Sequence, residues 1–262
     1  MVDIAVVLFG MARKVAPFLD SIDQALFKPL RTAGLTHVVV GQLNDVDFIS
    51  NPRSNEVGRP DPPSLISARF PGVGQKTQEL AQIELDLAEL SRFGDSWNDN
   101  FRSLANLLYQ LHSLSVGTDM ALASGAQSFI FLRPDLVYHD SFGEALSHAQ
   151  VSPAPRLWVP DWQYSTGLND RFAIARGLEA AETYGKRLAN AANFVRCRNG
   201  PLHSERLLAY VVGTKGIPVE FLALRASRCR IDGTVKVEDH SNKWRVRVRT
   251  QARLKLLPKS FA

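Results

Sequence analysis

The hydrophobic pattern of the first 41 residues predicts a strand, a helix and a second strand. Asp3 to Phe9 is a continuous apolar, β-branched run, which is typical of a central strand buried on both faces. Apolar residues then recur every four positions from Phe18 to Leu30, and Gly34 ends this helical pattern. Thr36 to Gly41 is a second apolar run. A βαβ opening of this kind predicts a mostly parallel sheet with right-handed crossovers.

Later segments continue this alternation of helices and strands. The apolar spacing predicts helices over Thr77–Phe93, Asp99–Ser115, Gly177–Leu188 and Ser204–Val212, and strands over Ser128–Leu132, Leu157–Val159 and Val219–Leu224. Residues 51–74 break the pattern with repeated proline and glycine. They predict a long irregular loop, which is either a lid or binding loop or a mobile insertion. The fold class is therefore α/β, with a Rossmann-like, mostly parallel sheet flanked by helices.

The composition is that of an ordinary globular protein. The chain has 262 residues, of which 45% are hydrophobic and 22% charged, and at this length neither disulfides nor metal are needed for folding. Two cysteines, Cys197 and Cys229, are expected to be buried thiols in a reducing compartment. The first apolar run is short and follows Asp3, which favours a strand over a signal peptide. We therefore expect a cytoplasmic protein.

The net charge of +5 is unevenly distributed. From Arg225 to Ala262 there are 11 Lys and Arg residues against three acidic ones, whereas the preceding residues are slightly acidic. This contrast predicts a domain over residues 1–224 and a basic, β-rich extension over 225–262 packed on it. Within the extension, Lys243 to Thr250 alternates arginine with apolar residues and predicts a half-buried strand. The arginine stripe suits an edge strand, an anionic membrane or lipid-diphosphate surface, or nucleic acid; no nucleic-acid-binding motif accompanies it.

The end of the first strand is the first candidate for binding chemistry. Gly10 follows this strand and Arg13 comes three residues later, an arrangement that suits either close approach to a phosphate or a plain turn with a surface arginine. Neither of the glycine-rich nucleotide-binding motifs follows Gly10, so a dehydrogenase or a P-loop enzyme is not indicated. The histidines and cysteines lack zinc-site spacing, and no serine-hydrolase elbow is present.

Carboxylates at predicted strand ends are the second candidate. Asp135 and Asp161 each follow a proline at the end of an apolar strand, and Asp135 is expected to be exposed there. Asn169-Asp170-Arg171 follows a loop that contains glycine. Oxygen ligands at strand ends suit Mg²⁺ or Mn²⁺ together with substrate phosphates, although each aspartate alone also suits a turn or a helix cap.

Five short segments, taken in order, resemble a known family. The chain is similar to bacterial and viral GT-A-type glycosyltransferase-like proteins of capsule and O-antigen clusters, over about residues 3 to 230. The R-P-D-L and N-D-R-F-A segments are the most specific. The segments are Val7 to Gly10 with Arg13, Phe131 to Leu136, Val159 to Asp161, Gly167 to Ala173, and Ser204 to Leu208.

This resemblance implies a nucleotide-sugar donor at the carboxyl ends of the sheet, with Mn²⁺ or Mg²⁺ on its diphosphate. Asp135 occupies the place of the family's metal-binding acidic motif, although the usual Asp-x-Asp has only one carboxylate here. Arg133 beside it is expected to supply part of the missing positive charge. The resemblance also implies donor contacts from Gly10, Arg13, Asp161, Asn169 and Arg171.

Glycosyl transfer with inversion needs a carboxylate that takes the proton of the acceptor hydroxyl. Asp161, Asp170 and Glu205 are the candidates for this base. We expect Glu205 to be the base and Asp170 to bind the donor sugar or the acceptor. His203 is a candidate ligand or phosphate contact. The leading hypothesis is thus a hexosyltransferase of polysaccharide biosynthesis acting on a glycan or lipid-linked acceptor, with peripheral membrane contact through the basic segment. The alternatives are a non-catalytic protein that binds anionic surfaces or nucleic acid through that segment, and a degenerate fold that acts as a partner subunit.

Overall fold

The structure is a computed structural model, and it describes residues 2–51, 54–76, 80–163 and 167–241. Within these ranges the strands are β1 (Ile4–Gly10), β2 (His37–Asn44), β3 (Ile49–Asn51), β4 (Glu56–Gly58), β5 (Val73–Lys76), β6 (Ser128–Leu132), β7 (Leu136–Tyr138), β8 (Arg156–Pro160), β9 (Ala173–Arg176), β10 (Val219–Leu222) and β11 (Ala226–Arg228). The helices are α1 (Val15–Ile22), α2 (Lys28–Thr32), α3 (Ser64–Arg69), α4 (Leu80–Leu90), α5 (Arg102–Ala123), α6 (Gly143–Val151), α7 (Leu178–Gly185), α8 (Ala191–Arg198) and α9 (Ser204–Lys215). A π-helical turn, Asp23–Phe27, joins α1 to α2, and 3₁₀ turns cover Ser91–Phe93 and Arg187–Asn190.

Seven strands form the central sheet in the order β10-β8-β9-β6-β1-β2-β5. β9 runs antiparallel to its neighbours β6 and β8, and the remaining neighbours pair in parallel. The predicted α/β class with a mostly parallel sheet is therefore confirmed. Because β1, β2 and β6 are parallel, their carboxyl ends lie at one edge of the sheet, where ligands bind in open α/β folds.

Helices cover both faces of the sheet, so β1 is buried throughout, as predicted. Its side chains alternate between two apolar cores: Val7 and Phe9 face the core that includes α5, whereas Val6 and Leu8 face the core that includes α1. Gly117 allows α5 to pack close to the sheet, because a Cβ there would lie 2.8 Å from Cγ1 of Val7.

Several predicted element boundaries are wrong. Residues 51–74 are not one long loop: they include the end of β3, then β4, α3 and the start of β5, all of them short elements between prolines. The helix predicted over Asp99–Ser115 extends to Ala123. The antiparallel strand β9 and the helices α6 and α8 were not predicted.

Residues 225–241 pack against the main sheet domain. β11 pairs antiparallel with β7, and the N–H of Cys229 donates to the carbonyl of Asp135 at 2.9 Å. Cys229 is buried, but the expectation for Cys197 is wrong because its thiol is exposed. The predicted arginine stripe over 243–250 lies outside the described residues. In the described ranges, no helix is long and apolar enough to cross a membrane.

Candidate active site

A cleft of about 540 Å³ opens at the carboxyl ends of β1, β2 and β6. It brings together six residues predicted for the site from distant parts of the chain, and His203 lines it as well. The six are Gly10, Arg13, Arg133, Asp135, Asp170 and Glu205.

Gly10 starts the turn that carries the chain from β1 into the cleft. Its backbone has φ of +89°, a conformation that glycine adopts at little cost. Its N–H donates to Oγ of Ser113 at 2.8 Å, which fixes the turn to α5. The following residues, Met11 and Arg13, then line the cleft.

Asp135 lies between two guanidinium groups on the cleft floor. Arg133 donates to both carboxylate oxygens, from Nε to Oδ1 at 2.9 Å and from Nη2 to Oδ2 at 2.7 Å. Nη1 of Arg13 also donates to Oδ2, at 2.5 Å. The expectation that Asp135 would be exposed is wrong: it is only 3% exposed, and residues 225–241 contribute a backbone contact to it through Cys229.

Two further residues of this floor were not predicted. Oε1 of Glu56 in β4 lies 3.2 Å from Nε of Arg13, in an ion pair that lacks hydrogen-bond geometry, and Nη1 of Arg230 donates to the other oxygen of Glu56 at 2.6 Å. Both contacts join residues far apart in sequence, so no local pattern could have indicated them. We call the group of Arg13, Arg133, Arg230, Glu56 and Asp135 the arginine floor.

A second buried carboxylate, Glu238, lies beside the arginine floor. Its oxygens accept from Nε of Arg228 at 3.1 Å and from Nε2 of Gln163 at 2.7 Å, and they also lie within ion-pair distance of Arg171 and Lys236, at 3.4 Å each. We call these residues the Glu238 cluster. Of them, only Arg171 belongs to the predicted site.

The charges of the arginine floor keep its carboxylates ionised. Burial is the largest influence on the pKa of Asp135 and raises it, but the charges of Arg133 and Arg13 together outweigh burial and lower this pKa to about 2. In the same way, the pKa of Glu238 is lowered to about 2, because the hydrogen bond from Gln163 and the charge of Arg171 act against burial. At neutral pH both carboxylates are therefore charged acceptors for arginine.

The predicted metal role of Asp135 does not fit this geometry. Both of its oxygens accept hydrogen bonds from guanidinium groups, and a divalent cation there would lie next to two positive charges. Across the part of the chain that the structure describes, no group of three or more ligating side chains could hold a metal ion. The expected Mn²⁺ or Mg²⁺ therefore has no suitable ligand set at Asp135.

Asp170 and Glu205 also line the cleft. Oδ2 of Asp170 accepts from Nη2 of Arg187 at 3.0 Å and from Oγ of Ser204, the first residue of α9. Arg187 is fully buried and was missed, since nothing in its sequence surroundings distinguishes it. We call Asp170, Glu205, Ser204 and Arg187 the carboxylate wall.

The loop that carries Asp170 packs directly on the start of α9. The N–H of Leu168 donates to the carbonyl of Glu205 at 3.0 Å. A Cβ on Gly167 would lie 2.1 Å from that same carbonyl oxygen, so this position requires glycine. The close contact fixes Asp170 and Glu205 relative to each other.

The structure does not place Asp161, Asn169 and Arg171 among the cleft-lining residues. Asn169 folds the loop instead: its Nδ2 donates to the carbonyl of Trp162 at 2.6 Å, and its Oδ1 accepts from the N–H of Arg171 at 3.1 Å. The guanidinium of Arg171 lies over the Trp162 ring, 4.9 Å from its centroid. The N–H of Asp161 donates to Leu222, which links β8 to β10.

The rest of the cleft combines polar and aromatic groups. The rings of Trp97 and His203 stack with centroids 5.7 Å apart. α5 contributes Asn106 and Tyr109, and Phe48, before β3, is 54% exposed at the cleft. Aromatic faces beside hydrogen-bonding groups can hold the base or sugar rings of a ligand.

Comparisons with known proteins give only weak likenesses. No protein-family model matches the chain, and no curated protein matches it in sequence. Among solved structures, mouse xyloside xylosyltransferase 1 in its apo form has a TM-score of 0.38 and 14% identity, with 85% of each chain covered. The galactosyltransferase LgtC with donor and acceptor sugar analogs has a TM-score of 0.43 and 10% identity, covering 82% of this chain and 72% of LgtC.

A third similar structure is a nucleotide-diphospho-sugar transferase, so described, from Desulfovibrio desulfuricans G20. Its TM-score is 0.40 at 8% identity, covering 85% of this chain and 80% of the other. Because all three TM-scores lie below 0.5, we infer nothing about activity from them.

Proposed function

We propose that this chain is a glycosyltransferase that moves a sugar from a nucleotide-sugar to a glycan or lipid-linked acceptor. The observation that supports this most is the convergence of residues from Gly10 to Glu205 on one cleft. These residues belong to the segments that resemble GT-A-type proteins. The cleft volume of about 540 Å³ suits a small-molecule ligand, and its place at the carboxyl ends of parallel strands suits a nucleotide.

The arginine floor suits the diphosphate of the donor. Arg133 lines the cleft and uses Nε and Nη2 on Asp135, so its Nη1 keeps a donor that no hydrogen bond to the described residues occupies. Nη1 of Arg13 donates to Asp135, whereas its Nε lies in an ion pair with Glu56 and donates no hydrogen bond to the described residues, so Arg13 also keeps donors for a ligand. Phosphate oxygens accept readily from guanidinium groups, and the glycine at position 10 permits close approach of the backbone.

The carboxylate wall suits the transfer step. In this proposal the bond between the sugar C1 and the diphosphate oxygen breaks, and its electron pair leaves with the diphosphate. The acceptor oxygen bonds to C1, and Glu205 takes the proton of the acceptor hydroxyl. Oδ2 of Asp170 is occupied by Arg187 and Ser204, so its Oδ1 is left to bind a sugar hydroxyl.

Two finer features of the proposal come from the sequence resemblance: a hexose donor and a role in surface-polysaccharide biosynthesis. Action in the cytoplasm comes from the pattern at the start of the sequence, and peripheral membrane contact comes from the charge of the basic segment. The alternative of binding nucleic acid or an anionic surface without catalysis depends on the arginine stripe over 243–250, which lies outside the described residues, so it stays a prediction.

Calorimetry against UDP-, GDP-, TDP- and CMP-sugars tests the proposal, with and without Mn²⁺. We expect the nucleotide-sugars of one class to bind. When an acceptor is present, we expect the sugar to be transferred and the free nucleotide to be released. The variant Glu205→Gln should bind the same donor without turnover, and the exposed Glu182→Gln on α7 should behave like the wild type. Absence of binding by all four classes under both conditions would contradict the proposal. Binding without turnover by the wild type, across varied acceptors, would favour the degenerate partner subunit.

A further inference from the structure

The arginine floor contains more positive than negative charge. Three guanidinium groups surround two carboxylates, and these carboxylates belong to Glu56 and Asp135, each 3% exposed. The two arginines that line the cleft are themselves largely buried: the exposed fractions of their side chains are 11% for Arg13 and 20% for Arg133. A buried surplus charge is unfavourable unless a counterion is bound.

The Glu238 cluster adds to this surplus. Arg171, Arg228 and Lys236 share the one carboxylate of Glu238. Burial is the largest effect that lowers the pKa of Arg171, and the charges of Arg228 and Arg133 lower it further, while Glu238 and Asp135 act in the opposite direction. Arg228 and Arg133 thus repel Arg171 across the two clusters, whereas the carboxylates of Asp135 and Asp170 stabilise the charge of Arg133.

Residues 225–241 supply two arginines of these clusters that are not among the cleft-lining residues. Arg230 contacts Glu56 and Arg228 contacts Glu238, while Cys229 between them is bonded to the backbone of Asp135. Arg230 thus shares Glu56 with Arg13, and Cys229 fixes the backbone of the carboxylate that binds both Arg13 and Arg133. The arrangement is built from parts of β1, β4, β6 and β11 and the turns next to them.

From these contacts we infer that Arg13 and Arg133 bind the donor diphosphate directly, and that binding requires no divalent cation. The inference rests on the proposed function and makes it more specific. In it, Asp135 is a positioning residue that orients the two guanidinium groups. The surplus charge of the arginine floor takes the part that a metal ion plays at other diphosphate sites.

Calorimetry with UDP, GDP and TDP on the full-length wild type tests this inference, in excess EDTA and then in Mn²⁺ or Mg²⁺. We expect the best of these diphosphates to bind with Kd values that agree within about twofold in all three conditions, since no metal contributes. Arg133→Gln should raise its Kd by about tenfold or more, because a charge-assisted hydrogen bond is lost. Exposed Arg196→Gln on α8 is the matched control and should leave Kd unchanged.

Asp135→Asn separates a positioning residue from a metal ligand. If Asp135 is a metal ligand, this variant should bind the nucleoside diphosphate much more weakly than the wild type does in Mn²⁺, and its Kd should no longer depend on Mn²⁺. A positioning role predicts at most about a threefold change, since the lost orientation is partly offset by the removal of a negative charge. If this variant is unstable, the comparison of wild-type Kd values in EDTA and in Mn²⁺ or Mg²⁺ still shows whether binding requires a metal ion.

Each result bears on a different claim. Binding that appears only with metal, that survives Arg133→Gln unchanged in EDTA, or that is confined to CMP-sugars, which carry a single phosphate, overturns the inference and leaves the glycosyltransferase proposal standing. Failure of every nucleoside diphosphate and nucleotide-sugar to bind overturns both.

Discussion

Two groups of residues at the cleft differ in their charge. The arginine floor gathers three guanidinium groups around two carboxylates, whereas in the carboxylate wall one guanidinium, Arg187, pairs with Asp170. In the proposed function, the arginine floor binds the phosphates of the donor, and the carboxylate wall binds hydroxyl groups and takes the acceptor proton. The comparison therefore predicts that substitutions in the two groups affect different steps, donor binding for the first and proton removal for the second.

The largest effect is expected at the carboxylate wall. Replacing Glu205 with Gln removes the proposed base, so kcat should fall by about 10²–10⁴-fold while donor Kd stays within about twofold. Steady-state kinetics together with calorimetry check this. An equal loss of donor affinity would indicate that Glu205 binds the donor, and would contradict its role as the base.

Breaking the buried ion pair of the same wall should cost stability. Arg187→Met leaves the carboxylate of Asp170 without its cation, so the free energy of unfolding should drop by about 3–5 kcal/mol in urea denaturation. The additional change Asp170→Asn should recover part of the loss, because the buried charge is then gone. Arg196→Met, which breaks an exposed pair with Glu89, should change stability by no more than about 1 kcal/mol. Equal losses for the two arginine variants would contradict this account of the wall.

Acid should weaken the arginine floor. The pKa of Asp135 is about 2 in the folded protein, below its ordinary value of 3.8. Its stabilising contribution is therefore fully present above that ordinary value and is lost as pH falls toward 2; the loss amounts to about 2 kcal/mol. Glu238, whose pKa falls from 4.5 to about 2, adds a loss of the same sign.

Denaturation between pH 6 and pH 2 measures this loss. Asp135→Asn should have a flatter stability profile than the wild type, since its side chain has no proton to gain. Identical pH profiles for the two proteins would show that Asp135 is not held ionised by the arginines.

The smallest effect is expected where the loop packs on α9. Gly167→Ala places a Cβ 2.1 Å from the carbonyl oxygen of Glu205, so the loop must shift. We expect a loss of about 1–2 kcal/mol in stability together with a lower kcat, because Asp170 and Glu205 move apart. Gly200→Ala meets only an ordinary contact of 3.7 Å and is the control. If Gly167→Ala kept the kcat of the wild type, the packing of the loop on α9 would not be needed for catalysis.

The sequence predicts the long elements of this fold better than most of the short ones. The uninterrupted apolar run of β1 has one physical interpretation, a strand buried on both faces, and the structure agrees. The segment 51–74 and β9 were misjudged because their elements have three to six residues and carry no periodic signal. Such short strands are defined by their pairing with neighbouring strands, and the local sequence carries no signal for that pairing.

The candidate site shows the same limit. Strand ends predicted the positions of Gly10, Arg13, Arg133 and Asp135, because parallel strands bring their carboxyl ends together. The partners Glu56, Arg230 and Arg187 could not be predicted, since each reaches its contact through tertiary packing. The same packing changes the interpretation of Asp135, from an exposed metal ligand to a buried anchor for arginine.

A crystal structure with an intact nucleotide-sugar analogue, grown in the presence of Mn²⁺, tests the central claim most directly. We predict that the diphosphate lies within hydrogen-bonding distance of Arg13 and Arg133, that no metal ion contacts Asp135, and that the reacting carbon of the sugar faces Glu205. A diphosphate bound away from both arginines, or a sugar that faces away from the carboxylate wall, would contradict the claim that this cleft transfers glycosyl groups.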